Sequence, residues 1–463
     1  MKSKAILSLC LAAIMLFMSA CTQNGESESS SSDAISTENV LQTEDITTEE
    51  ETTAEATTES PHPVLTPVTA DDIPYFSGGS KRSDYDCGDG VHMKVVTSVF
   101  EREYLTYIES LKTQGYTEVS AREVKEEYFY TFSREGTALI ASYSGTERIA
   151  RLTILPYNPY EAYSDIYGVK NAEQGDVEPL ITMVDSGNNG NDVGMSYIIR
   201  TTKGSFIVID GGWVGIGEGK KIRNILKEQN TNGSLPVIAA WILTHPHSDH
   251  YGAIADVASA YYDEVVLERV IYNYMSEEML AKSDVAKVLN DSTAPYNILK
   301  KTLSAPKKWG YTQVIKPHAG DLLNIDGVEI DILYTHEEVA PDISALEYNN
   351  AASLAFKVNL GEKSVLFLGD STGTNMLAMA KRYGTHLKSD VLQPTHHGRT
   401  HGKIDVYKLV LPEVVLWDCA LSSYKEYENQ DYNQYLIKNF KRHYISQNGT
   451  VSLSFKTLEE IAG

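Results

Sequence analysis

Six of the 12 histidines fall in two short windows, His245, His247 and His250, then His396, His397 and His401. The first window reads Thr244-His-Pro-His-Ser-Asp-His250, so a carboxylate, Asp249, joins the imidazoles. Neutral imidazole suits zinc and related first-row cations, and a carboxylate adds charge and a harder donor. Four such donors within six positions can divide between two adjacent metal ions. As ordinary loop polarity, the same run would cluster three histidines for no gain. His401 also reads as a solvated loop residue, and His62, His92, His386 and His443 have no donor at ligand spacing. His318 in Lys-Pro-His-Ala-Gly and His336 in Tyr-Thr-His-Glu-Glu sit at turns near strand ends and read as non-ligands.

Chemistry of this kind needs rigid placement. The apolar run Val237–Leu243, directly before the first window, reads as a buried strand. A strand end delivers side chains into a cleft, and the turn after it lets His245 and His247 point one way while Asp249 and His250 point another.

The pattern His-x-His-x-Asp-His after a hydrophobic strand resembles the signature of the metallo-β-lactamase superfamily. The resemblance implies an α/β fold, an αββα sandwich with one or two zinc ions at the rim of two facing sheets. Tyr197-Ile-Ile-Arg-Thr-Thr-Lys-Gly-Ser-Phe-Ile-Val-Ile-Asp-Gly-Gly212 resembles the family's opening hairpin, which puts Asp210 where a carboxylate orients a metal-binding histidine. Ser364-Val-Leu-Phe-Leu-Gly-Asp370 resembles the strand whose terminal aspartate bridges two ions about 3.5 to 4 Å apart.

Asp390-Val-Leu-Gln-Pro-Thr-His-His-Gly398 is similar to an element of one branch, the extracellular metallo-β-lactamase-like domain of bacterial DNA-uptake competence proteins and their stand-alone relatives. Tyr444–Ser454 resembles that branch's closing hairpin, so the resemblance covers roughly Glu178 to Phe455. The implied metal ligands are His245, His247, Asp249, His250, Asp370 and His396. His396 is favoured because it comes first after the strand, which leaves His397 as a supporting or proton-donating residue; the swapped assignment stays open.

One landmark departs from the wider family. Its lactamases and thioesterases carry another histidine before the strand that leads to the bridging aspartate, where this chain has Tyr348-Asn-Asn-Ala351. Asn349 or Asn350 resembles the competence-type pattern instead. An amide oxygen is a weaker zinc ligand than imidazole, so the first metal position is expected to be more labile or suited to a harder ion such as manganese. Binding of a single ion stays open.

The reaction implied is hydrolysis by metal-activated water, since a divalent cation lowers the pKa of water and polarises the electrophile. Asp249 and Asp370 are expected to orient the nucleophile, and His397 or His401 to protonate a leaving group. Arg399 lies in sequence beside the second window, where a guanidinium could grip phosphate. Phosphodiesters are therefore the favoured substrates by analogy with the competence branch. A lactamase, lactonase or thioesterase, and a non-catalytic binding protein on the same fold, are the alternatives.

Charge bears on substrate size. The chain has 463 residues, 63 Asp+Glu, 40 Lys+Arg and a net charge of −23. Thr22–Pro74 holds 13 of the acidic residues and no Lys or Arg; setting these aside with Lys2 and Lys4 leaves −12 for Tyr75–Gly463. Nucleic acid is thus a possible partner that charge does not favour, because a grip on long DNA normally needs a basic surface. Small or surface-linked phosphodiesters need none.

The remaining organisation follows from composition. Residues 1–21 read as an export signal: Lys2 and Lys4, an apolar core, then Ser19 and Ala20 before Cys21. That ending resembles the lipobox of bacterial lipoproteins, with Met18 where leucine is usual. It implies a lipid on Cys21, a membrane anchor and an extracellular location; an ordinary cleavable signal is the alternative. Residues 22–74, rich in Ser, Thr and Glu, are expected to be a disordered tether. Residues 75–160 suggest a small α/β domain of unassigned role, with a helix from Phe100 to Leu111 and strands over 128–132, 138–143 and 150–155. The hydrolase domain is expected over 178–457. With Cys10 and Cys21 assigned to the leader, Cys87 and Cys419 remain, too few for a disulfide framework.

Overall fold

Apolar and polar residues alternate along Val91–Thr97, where Val91, Met93 and Val95 are buried and His92 and Lys94 between them are half-buried. That period of two is what a strand requires. It belongs to an antiparallel six-stranded sheet in a computed structural model that describes residues 63–170, 172–185, 187–188, 192–213, 215–276, 309, 312–340 and 348–461. These lie in one compact unit, Glu59–Gly463. The segment expected to be an export leader, the expected lipid-bearing Cys21 and most of the expected tether fall outside the described residues.

The sheet runs in the order Lys81–Gly88, Val91–Thr97, Ile149–Leu155, Thr137–Ser144, Glu127–Arg134, Thr117–Val124. The helix Glu101–Thr113 packs on one face through Tyr104, Tyr107, Ile108 and Leu111. The packed chain begins before Tyr75: Ile73 is buried in that core, and the Thr66 N–H donates to the carbonyl of Pro156 at 2.7 Å.

The other face meets the second half of the chain. Tyr85, Cys87, Met93 and Ile140 pack with Met275, Ala340 and Ala352. Buried ion pairs cross the same junction. Arg382 Nε donates to Glu127 Oε2 at 2.8 Å and its guanidinium also pairs with Glu338, which Arg151 meets at 3.2 Å. Arg122 binds Asp331 through both carboxylate oxygens at 2.7 Å.

Two further sheets face each other. In the first, Leu180–Met183, Ser196–Arg200, Phe206–Asp210 and Val237–Ile242 are neighbours, extended by Arg269–Ile271 and Gln313–Ile315. In the second, Val328–Tyr334, Ala355–Leu360, Lys363–Phe367, Val391–Leu392 and Val414–Trp417 lie in that order. One apolar cluster fills the space between them, with Ile181, Tyr197 and Ile207 from one side and Ile330, Phe356 and Val365 from the other. The helices Glu218–Gln229 and Gly252–Ala260 cover the outside of the first sheet. Gly373–Tyr383, Ile404–Val410 and Asp431–Asn439 cover the outside of the second. The layers are therefore helix, sheet, sheet, helix, the αββα sandwich.

The closing segment departs from the hairpin expected over Tyr444–Ser454. Arg442–Ile445 pairs in parallel with Val414–Trp417 in the second sheet, whereas Val451–Ser454 pairs antiparallel with Leu180–Met183 in the first. The turn between them carries the chain across the sandwich, so that each strand caps a different sheet. Among the described residues no helix is long and apolar enough to cross a membrane.

Candidate metal centre

The strand Val237–Ile242 is buried on both faces, and its continuation Leu243–Thr244 carries His245 into the cleft where the two sheets open. Thr244 is tied at both ends: its N–H and its hydroxyl donate to the two carboxylate oxygens of Asp210 at 2.8 and 2.7 Å. Its carbonyl accepts from Leu354 N–H at 2.9 Å, which fixes the turn to the second sheet. Asp210 is fully buried, and its Oδ2 lies 2.7 Å from Nδ1 of His250. A carboxylate accepts, so the imidazole proton sits on Nδ1 and Nε2 faces the cleft.

Asp370 enters from the second sheet, in the turn after Lys363–Phe367. Gly369, at φ +53, makes that turn possible; a Cβ there would come within 3.2 Å of both Ser353 and Thr244. The Asp370 N–H donates to Ser353 Oγ at 3.2 Å, and Asp370 Oδ2 lies 3.4 Å from His250 Nε2 and 3.6 Å from His245 Nε2. His245 Nε2 is also 3.0 Å from His247 Nδ1.

The second window supplies the far wall. His396 and His397 both adopt left-handed backbone, φ 51 and 58, followed by Gly398 at φ 76. Non-glycine residues rarely occupy that region, and such conformations concentrate at functional sites. The turn carries His397 inward: it is fully buried, with Nε2 at 3.4 Å from Asp249 and 3.6 Å from Asp370. Its Nδ1 meets the carbonyl of Asp418 at 3.1 Å and the Asp418 carboxylate at 3.4 Å. His396 keeps a 22% exposed side chain, with Nδ1 on Thr400 Oγ1 at 2.6 Å and Nε2 at 3.7 Å from Asp370. Being first after the strand does not decide the inward residue, because the left-handed turn does. The geometry favours His397 over His396.

Two triads of donor atoms converge, His245 with His250 and Asp370, and Asp249 with His250 and His397. His250 Nε2, His397 Nε2 and Asp370 Oδ1 are buried with no hydrogen-bond partner among the described residues. Buried polar atoms are normally satisfied, so three orphans aimed at one point fit a cation. Asn349 and Asn350 lie buried on the short helix Tyr348–Ala351, and Asn350 Oδ1 is likewise without a partner among the described residues. His401 stacks on His396 at 5.2 Å between ring centroids, and Arg399 Nη2 donates to Ser423 Oγ at 3.3 Å.

Electrostatics divide the histidines. Burial opposes charge on His250, but Asp370, Asp210 and Asp249 outweigh it and hold the imidazolium well above the usual range. His397 is raised in the same way, burial being outweighed by Asp370, Asp249 and Asp418. Burial, with His250 next, pushes His245 well below its usual range; burial also lowers His247 and pushes His396 down to about 4. Asp370 stays well below the carboxylate range because His250, His397 and His245 overcome its desolvation. Without a cation, then, two carboxylates are held anionic by two imidazolium rings.

Residues 189–400 match the family model for the metallo-beta-lactamase superfamily. That stretch is similar to the superfamily, in keeping with the αββα sandwich around it. That superfamily consists in general of metal-dependent hydrolases. No curated protein matches the chain significantly. Among solved structures, the metallo-β-lactamase fold protein YhfI from Bacillus subtilis is 13% identical, over 58% of this chain and 96% of that one, with a TM-score of 0.33. A possible metal-dependent hydrolase from Veillonella parvula is 11% identical over 60% and 99%, TM-score 0.32. The diiron β-hydroxylase CmlA from Streptomyces venezuelae is 14% identical over 61% of this chain and 55% of that one, TM-score 0.35.

Sequence does not single out Thr244, Ser353 and Asp418, although all three hold the donor cluster together. Asp418 had a readable signal: like Asp210 and Asp370 it follows an apolar run, Val414–Trp417. Thr244 and Ser353 act through hydrogen bonds across the sandwich that no local pattern displays.

Proposed function

We propose that this protein is a metal-dependent phosphodiester hydrolase, anchored at the cell surface through lipid on Cys21, acting on small or surface-linked phosphodiesters rather than long nucleic acid. The pair of donor triads sharing His250 is the observation that carries the hydrolase reading. His250, with only Nε2 free, would serve one cation, zinc or manganese, either with His245 and Asp370 or with Asp249 and His397; a second ion would rest on the remaining donors. A bound cation supplies Lewis acidity and a nucleophile at neutral pH.

The chain's own groups do the rest. Asp210 and Asp418 keep the Nδ1 protons of His250 and His397 in place, which leaves each Nε2 facing the cleft. Asp249, whose side chain is 16% exposed, sits at the mouth where it can accept a hydrogen bond from water and orient it. His396, neutral at physiological pH and on the open side, can hydrogen-bond a leaving oxygen, and Arg399 nearby supplies a planar cation suited to phosphate. The amides Asn349 and Asn350, standing where the family's lactamases carry an imidazole, favour a phosphodiester over a lactam. The −12 charge of Tyr75–Gly463 favours a small substrate.

The test is turnover of bis(p-nitrophenyl) phosphate with added zinc or manganese, beside a chromogenic cephalosporin and a thioester. Phosphodiester turnover abolished in D249A is expected. No turnover with either ion, or faster cleavage of the cephalosporin or thioester, would overturn the substrate assignment.

A further inference from the structure

A second group of donors lies outside the metallo-β-lactamase cleft, at the junction between the six-stranded sheet and the sandwich. Cys87 is the penultimate residue of the strand Lys81–Gly88, and His336 and Glu337 open the 3-10 helix His336–Val339. All three are buried, at 4%, 0% and 4% exposure, and their ligand atoms lie within 4.8 Å of one another. His336 Nδ1 is 3.0 Å from the carbonyl of Asn273. A carbonyl only accepts, so the proton is on Nδ1 and the lone pair on Nε2, which is buried without a hydrogen-bond partner among the described residues. An imidazole whose buried Nε2 keeps its lone pair unengaged is in the form that binds metal.

Glu337 is prepared in the same sense. Both its oxygens lie 2.9 Å from His318 Nδ1, which fixes the carboxylate in place. A histidine that donates to a ligating carboxylate, and a carbonyl that fixes the tautomer of a ligating histidine, are the supports that metal ligands commonly have.

We infer that Cys87, His336 and Glu337 form a second metal site, separate from the hydrolytic centre, that binds a thiophilic divalent cation of the zinc class and staples the six-stranded sheet to the sandwich. One thiolate, one imidazole and one carboxylate suit zinc and its neighbours, whereas magnesium, calcium and manganese prefer all-oxygen sets. Three protein donors leave a fourth position for water. The staple closes the junction where Ser276 Oγ already donates to the carbonyl of Asp86 at 2.8 Å and Lys316 pairs with Asp89.

The donors proposed for the hydrolytic centre include no sulfur, so a sulfur-to-metal charge-transfer band in the cobalt(II)-loaded full-length protein reports the second site. The band is expected in the wild type and in C419S, and lost in C87S. Zinc content measured on H250A/D370A/H397A, where each donor set of the hydrolytic centre loses two of its three members, should retain one equivalent per chain that C87S in the same background removes. H318Q keeps all three ligands and should bind about 10- to 100-fold more weakly with the band still present. A wild type that takes up cobalt without the band, or a band unchanged in C87S, overturns the site. If C87S fails to fold, H318Q binding as tightly as the wild type overturns it equally.

Discussion

Asp210 Oδ2 lies 2.7 Å from Nδ1 of His250, with both groups fully buried and the same carboxylate held by two donors of Thr244. One aspartate on the first sheet thereby sets which nitrogen of His250 is available to the cleft. Replacing it by asparagine keeps the shape but lets an amide N–H compete with the ring proton. D210N should weaken metal binding by about 10- to 100-fold, measured by titration against a chelator. Unchanged affinity would show that Thr244 and packing alone orient the ring.

The adjacent histidines separate by experiment. His397 faces Asp249 and Asp370 from a fully buried position, while His396 bonds Thr400 and keeps partial contact with water. H397A should lose at least about 100-fold in activity, and H396A roughly 10-fold. Equal losses, with metal content equally reduced, would mean that both rings bind metal.

What could be read from sequence was what is local. The strand Val237–Ile242 with its histidine turn, and the helix Glu101–Thr113, declare themselves through apolar runs and helical spacing. The strands that sequence passed over include Lys81–Gly88 and Thr117–Val124, which are the two edges of their sheet. Edge strands carry charged residues to discourage further pairing, which blurs the alternation. His318 and His336 read as turn residues because both sit near strand ends, where polar side chains are common. Cys87 reaches His336 and Glu337 only once the six-stranded sheet docks on the sandwich.

That docking can be probed at Arg382. Its guanidinium is 1% exposed and bridges Glu127 of the six-stranded sheet and Glu338 of the sandwich. Removing one member of a buried ion network strands the others, at a cost of about 3 to 5 kcal/mol. R382M should lower stability to urea by that amount. A loss below about 1 kcal/mol would mean that water reaches the junction and screens the carboxylates.

Glu218, at the start of the helix Glu218–Gln229, gives a pH signature of its own. Burial pushes its carboxyl up to about 7, against an ordinary 4.5, with Lys221 Nζ 3.5 Å away and Oε2 lacking a hydrogen-bond partner among the described residues. The folded state therefore holds this proton more tightly than the unfolded chain does. Below pH 4.5 both states are protonated and the group costs nothing. As pH rises from 4.5 to about 7 the unfolded state ionises first and stability falls, levelling off above the folded pKa. The full penalty is about 3 kcal/mol, since each pKa unit corresponds to about 1.4 kcal/mol. E218Q should match the wild type in urea unfolding near pH 4.5 and exceed it by up to that amount at pH 8. A gain that is the same at both pH values would trace to packing, and the helix start would then hold no buried charge.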